Sequence, residues 1–273
     1  MKWIWKVVFG IFAAAQAKAQ IFHSPEKSVY LTGNAYSGQF TDAFSFTGNP
    51  AVLGSAKSLG LAVSGERKWM LKELAYNQLA CSFPAGGGGL GLHFHHSGDA
   101  GYNESSLAIG YGKDLGKISL GLQFGYDTYD AAGYGNKTGG SVRLGLRFHP
   151  VEKVYAGMVL SSSLLGKIEK TGPERVPGNY SMGFGYELSS GVFISGQFVK
   201  ETGNPGNAIV CVDYHWNDQF FASMGVEMNS VSPFAKAGWG KNRLKVELYT
   251  NYHPALGFTP GLVLLWEGKK RPG

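Results

Sequence analysis

From Ser58 onward the chain repeats one pattern, a short segment of alternating apolar and polar residues closed by turn residues. Successive side chains of a strand point to opposite faces, so a period of two marks a strand with one apolar and one polar face. Fourteen such segments fall at about 58–66, 72–83, 88–96, 103–113, 116–128, 138–149, 153–162, 178–188, 191–200, 207–216, 219–229, 232–240, 243–251 and 259–267. In 116–128 the residues Ile118, Leu120, Leu122, Phe124 and Tyr126 share one face, and Ser119, Gly121, Gln123, Gly125 and Asp127 share the other. Val142, Leu144, Leu146 and Phe148 oppose Ser141, Arg143, Gly145 and Arg147 in the same way.

Alternation alone fits a soluble sandwich as well as a membrane barrel. Connections after even-numbered segments are tight: Pro84–Gly87, Asp114–Leu115, Pro150–Glu152, Ser189–Ser190, Asn217–Asp218 and Lys241–Asn242. Those after odd-numbered segments are mostly longer, notably 129–137, 163–177 and 252–258, with Ser230–Val231 the exception. Short turns on one rim and long loops on the other characterise an outer-membrane barrel. An aromatic stands near each tight-turn end as well: Phe83, Tyr111, Phe148, Tyr186, Trp216, Trp239 and Trp266. Aromatic rings favour the membrane–water interface, where one edge is apolar and the other wet. A closed sheet is also the only one that pairs every backbone N–H and C=O inside a bilayer. The expected fold is therefore all-β: a transmembrane antiparallel barrel of about 14 strands over 58–267, tight turns periplasmic and long loops extracellular, in the outer membrane of a Gram-negative bacterium.

Residues 1–19 read as a signal peptide. Lys2 and Lys6 precede the apolar run Val7–Ala15, and Ala17-Lys18-Ala19 supplies a small-x-small cleavage site before Gln20. The net charge of +6 is carried entirely by Lys2, Lys6 and Lys18 in that leader and by Lys269, Lys270 and Arg271 in the tail 268–273. The body is neutral, so a nucleic-acid surface is excluded as the main theme. Cys81 and Cys211 fall on segments far apart around the sheet and are expected to be two separate buried or lumenal thiols.

The segment 20–57 lacks the alternation and carries Phe44-Ser45-Phe46-Thr47-Gly48-Asn49-Pro50-Ala51. Asn-Pro after Gly marks a turn, and the residue before proline is pushed out of the helical region. Nearly forty residues of this kind are enough to fill the lumen as a plug or hatch. Inward glycines such as Gly89, Gly91, Gly121, Gly125, Gly145, Gly183 and Gly185 either let the backbone of such a plug approach the wall or merely relieve crowding within it. The combination of leader, Phe-x-x-x-Gly-Asn-Pro-Ala-x-Leu stretch (Phe44, Gly48, Asn49, Pro50, Ala51, Leu53) and fourteen Gly- and aromatic-rich strands resembles the FadL-type outer-membrane barrels, most of all the PorV/PorQ branch of Bacteroidota. That resemblance implies a role as interaction partner in an outer-membrane protein-secretion machine (type IX secretion), or alternatively a channel for small hydrophobic molecules. The chain departs from the family in its shortness and in ending on Glu267-Gly268-Lys269-Lys270-Arg271-Pro272-Gly273.

Candidate chemistry is sparse. Asp127, Arg143, Arg147, Glu187 and Asp213, with Glu227, Lys245 and Glu247, fall on the polar faces and are expected to form a polar lumenal network. Leu164 and Leu165 in 163–177, and Leu256 and Phe258 near the last hairpin, are the apolar loop residues a protein partner would grip. His93 and His95 alternate onto one face, but no third ligand is visible, so a hydrated pair rather than a metal site is expected. There is no Gly-x-Ser-x-Gly, phosphate loop or zinc spacing, so neither an enzyme nor a cofactor is expected. Expected partners are outer-membrane lipids, with other outer-membrane or secretion-system proteins or a small hydrophobic ligand.

Overall fold

The computed structural model describes residues 33–165, 178–217 and 219–269. The leader 1–19, residues 20–32, most of the expected loop 163–177 and the end of the basic tail lie outside the described residues.

Fourteen antiparallel strands close into one barrel. They are β1 (Gly60–Arg67), β2 (Ala75–Ala85), β3 (Gly88–Gly98), β4 (Tyr102–Asp114), β5 (Ile118–Ala131), β6 (Gly135–Val151), β7 (Val154–Leu165), β8 (Gly178–Ser189), β9 (Val192–Glu201), β10 (Asn207–His215), β11 (Phe220–Glu227), β12 (Ser232–Lys241), β13 (Leu244–His253) and β14 (Gly257–Glu267). Each strand pairs with its sequence neighbours, and β1 pairs with β14 through Gly60↔Glu267 to Glu66↔Gly261, so no edge is left open. No helix among the described residues is long and apolar enough to cross a membrane.

The alternation sorts as its period demands. On β5, Ile118, Leu120, Phe124 and Tyr126 are exposed on the outer wall, whereas Ser119, Gln123 and Asp127 are buried inside. The same outward apolar face continues through Leu144, Leu146 and Phe148 on β6 and Tyr180, Met182 and Phe184 on β8. A face this apolar is stable only against hydrocarbon. The seven aromatics stand on the tight-turn rim as expected, with Trp216 in the β10–β11 turn. Gly86 and Gly87 make the two-residue β2–β3 turn with φ of 58° and 73°, the doubly left-handed geometry that matches strand twist.

Three expectations change. The loops expected at 129–137 and 252–258 shrink to 132–134 and 254–256, because β5, β6, β13 and β14 run on past the alternating core. Backbone pairing outlasts the apolar pattern there, since a rim clear of the bilayer needs no apolar face. Second, Leu164 and Leu165 belong to β7, paired with Gly140 and Gly139, and Phe258 belongs to β14, where its ring packs on Tyr252 at 4.8 Å; only Leu256 lies in a turn. Third, both cysteines are free, but Cys81 is half-buried on the outer face of β2 and only Cys211 faces the lumen.

Candidate functional site

The lumen is occupied toward its tight-turn rim by residues 33–57. Three short helical pieces, Gly33–Tyr36, Ser45–Gly48 and Pro50–Ser55, are joined by turns that satisfy their own backbone. Asp42 Oδ1 accepts from Phe44 N at 2.8 Å and Ser45 N at 2.9 Å, capping the second piece. Asn49 is extended (φ −149°, ψ 111°), as a residue before proline should be, and its Oδ1 accepts from Ala51 N at 3.0 Å to start the third.

Its aromatic side chains point into the wall. Tyr36, Phe44, Phe46 and Leu53 are almost completely buried and belong to one apolar cluster that also takes in Ala62 of β1, Ala80 of β2, Tyr249 of β13, and Val263 and Leu265 of β14. The inward glycines resolve the earlier alternative. A Cβ added at Gly121 or Gly145 would overlap Pro50 and its neighbours, one at Gly183 would overlap the Tyr36 ring, and one at Gly91 would stand 2.9 Å from both Leu53 and Phe46. Gly125 is the exception, for it meets Ser141 of the wall itself. Glycine thus clears a lane for the plug along β3 to β8. We expect Gly183→Val to overpack against Tyr36 and loosen the plug by about 1–3 kcal/mol. Limited proteolysis would then cut within 33–57 while the barrel keeps its heat-modifiable band shift; unchanged protection would count against the contact.

Buried charges hold the same segment. Arg147 Nη1 donates to Ser37 O at 3.1 Å and its Nη2 bonds Ser55 Oγ, stapling the two ends of the plug to β6. Glu187 Oε1 accepts from Ser37 Oγ at 2.5 Å, Gly38 N at 2.7 Å and Gln39 N at 3.0 Å. Arg143 Nη1 donates to Thr47 O at 2.5 Å, and Asn49 Nδ2 to Leu146 O at 3.0 Å. The expected single lumenal network is therefore divided. Arg143, Arg147 and Glu187 grip the plug, whereas Asp213 belongs to a separate buried set with Lys236 (3.8 Å), which also reaches Glu247 (3.6 Å). Asp127 is buried on β5 beside Ser106 and Gly139, away from both groups.

His93 and His95 face the lumen on β3, their rings 5.7 Å apart. His93 Nε2 contacts Gln78 Oε1 at 3.1 Å, and His95 stacks on Tyr76. Among the described residues no group of three His, Cys, Asp or Glu side chains is placed to hold a metal. Sequence reasoning missed the apolar inner strip. Its trace was legible in Leu262-Val263-Leu264-Leu265, where alternation fails because both faces of β14 are apolar.

No family model and no curated protein sequence matches the chain. Solved structures do. The CymD monoaromatic hydrocarbon channel superposes with a TM-score of 0.58 at 11% identity, over 86% of this chain and 96% of that one. The toluene transporter TodX of P. putida gives 0.56 at 8% identity, over 82% and 93%. The outer membrane protein Omp33 of Acinetobacter baumannii gives 0.53 at 6%, over 79% and 100%. The class is thus set by fold: a closed fourteen-strand β-barrel of the kind found in Gram-negative outer membranes.

Proposed function

We propose that the protein is an outer-membrane passage for small hydrophobic molecules, FadL-like in plan, with residues 33–57 as its hatch and the tight turns on the periplasmic side. The observation that carries this is the inner strip of Ala62, Ala80, Val263 and Leu265 against Phe44 and Phe46. Aqueous barrels line their lumen with polar residues; an apolar strip beside a removable aromatic segment suits an apolar solute. The hydrocarbon channels CymD and TodX share the fold, which supports the same reading. The secretion-partner reading draws no such support. Of the loop residues it called on, Leu164, Leu165 and Phe258 lie in strands.

Uptake of a radiolabelled monoaromatic hydrocarbon by cells that lack their own hydrocarbon channel tests the proposal. Expression should raise hydrocarbon entry several-fold and leave the entry of a labelled disaccharide unchanged. Val263→Glu should abolish the gain, since it places a carboxylate on the strip. Faster disaccharide entry without hydrocarbon entry would overturn it.

A further inference from the structure

The outer wall carries a groove of about 440 Å³ across β4 to β7. Its register explains it. One outward row of side chains runs Lys113–Leu120–Leu146–Met158, and the next runs Tyr111–Leu122–Leu144–Leu160. Between them lies the inward row Gly112–Gly121–Gly145–Val159. The groove floor therefore includes glycine backbone, Gly121 and Gly145 among its lining. On the inner side of these same glycines stand Pro50 and Asn49 of the plug. One peptide layer separates the plug from whatever fills the groove.

The groove is apolar along its length and charged at one end. Lys113 lies next to the β4–β5 turn at the tight-turn rim, and its side chain is exposed on the outer face. Beside it the Tyr111 ring is fixed by its hydroxyl, which donates to Gly86 O at 3.1 Å. Met158 and Leu160 lie further along their strand from that rim, so the groove descends from the interface into the hydrocarbon. Four strands about 4.8 Å apart give it a length of about 14 Å. Because the strands tilt from the bilayer normal, the groove runs obliquely and fits within one leaflet of a hydrocarbon core roughly 30 Å thick.

We propose that this groove is a binding site for a glycerophospholipid, with one acyl chain laid across β4–β7 and the phosphate at the Lys113 ammonium. The ligand class follows from the two ends. A phosphate at the headgroup level pairs with an interfacial lysine, and a single flexible chain fills a slot floored by backbone. A phospholipid rather than lipid A is chosen because the rim is read as periplasmic, so the site rests on that orientation. It does not depend on what crosses the lumen. The bound chain braces the wall from outside, at the glycines against which the plug presses from inside.

Native mass spectrometry of the full-length mature protein in mild detergent, with phosphatidylglycerol and lipid A offered as competing probes, tests it. One phosphatidylglycerol should be retained per barrel. Lys113→Glu should weaken retention by about tenfold or more, and Leu122→Trp, which fills the slot, should abolish it. Because either variant could fail to insert, phosphatidylglycerol carrying a diazirine in its acyl chain is also photolysed on the unmodified protein. Labelling concentrated on the β7 peptide with Met158 and Leu160 supports the site. Labelling spread evenly over the outer wall, or undiminished retention by both variants, overturns it. Retention of lipid A in place of phosphatidylglycerol overturns both the site and the orientation, and leaves the hydrocarbon passage to be judged by uptake.

Discussion

Deletion of residues 20–57 should convert a barely conducting protein into a wide pore, with single-channel conductance in planar bilayers rising by about tenfold or more. Fourteen strands enclose more than the side-chain-filled lumen of an eight-strand barrel and approach the open porins. Among the described residues the plug fills that space toward the tight-turn rim, where Pro50, Leu53 and Tyr36 lie directly against the wall. The barrel should survive the deletion, because every strand including β1 is paired on both sides without it. A milder version is Arg147→Ala combined with Glu187→Ala. It removes charge-assisted bonds worth roughly 1.5–3 kcal/mol each but leaves the aromatic contacts of Phe44 and Phe46, so brief openings rather than a steady pore are expected. High conductance in the unmodified protein, or none after the deletion, would sink the plug.

The second large effect concerns insertion. Phe124→Arg should block folding into bilayers far more than Gln123→Arg does. Phe124 is 52% exposed in the middle of the outer face of β5, whereas Gln123 is 6% exposed and lumenal. An arginine facing lipid at mid-depth costs on the order of 2–4 kcal/mol, and one facing the lumen much less. Heat-modifiable band shifts after refolding into vesicles report the difference. Equal defects, or the opposite order, would place the strand one residue out of register.

All fourteen strands were readable in the sequence, and so were the faces of those that alternate cleanly, because lipid outside and polar groups inside imprint a period of two on segments such as 116–128. Loop lengths were overstated where that imprint fades, as at Gly135–Lys137, which pair with Ala131, Asp130 and Tyr129 although nothing apolar alternates there. The plug was visible as a break in pattern, but its grip was not. Arg147 and Glu187 read as opposite charges facing one another across water, whereas both are spent on the plug. Beside the Ser37 and Ser55 hydroxyls, their partners are the Ser37 carbonyl and the amides of Gly38 and Gln39, and main-chain groups leave no mark in a sequence. Val263 and Leu265 left the clearest unused signal, a run in which alternation stops.

The way the wall holds its plug has a consequence for ancestry. Ser37 O, Thr47 O, Gly38 N and Gln39 N are grasped as main chain, and Gly89, Gly112, Gly121 and Gly185 make room for plug backbone, whereas Gly91 and Gly183 face plug side chains. At those points the lock fits the thread of the polypeptide and not its letters, while Tyr36, Phe46, Asn49 and Leu53 are held by their side chains. Chains built on this arrangement can rewrite the main-chain-held positions such as Gln39 while the fit endures, so kinship among them is to be sought in the spacing of glycines and buried charges on the barrel, where shape outlives spelling.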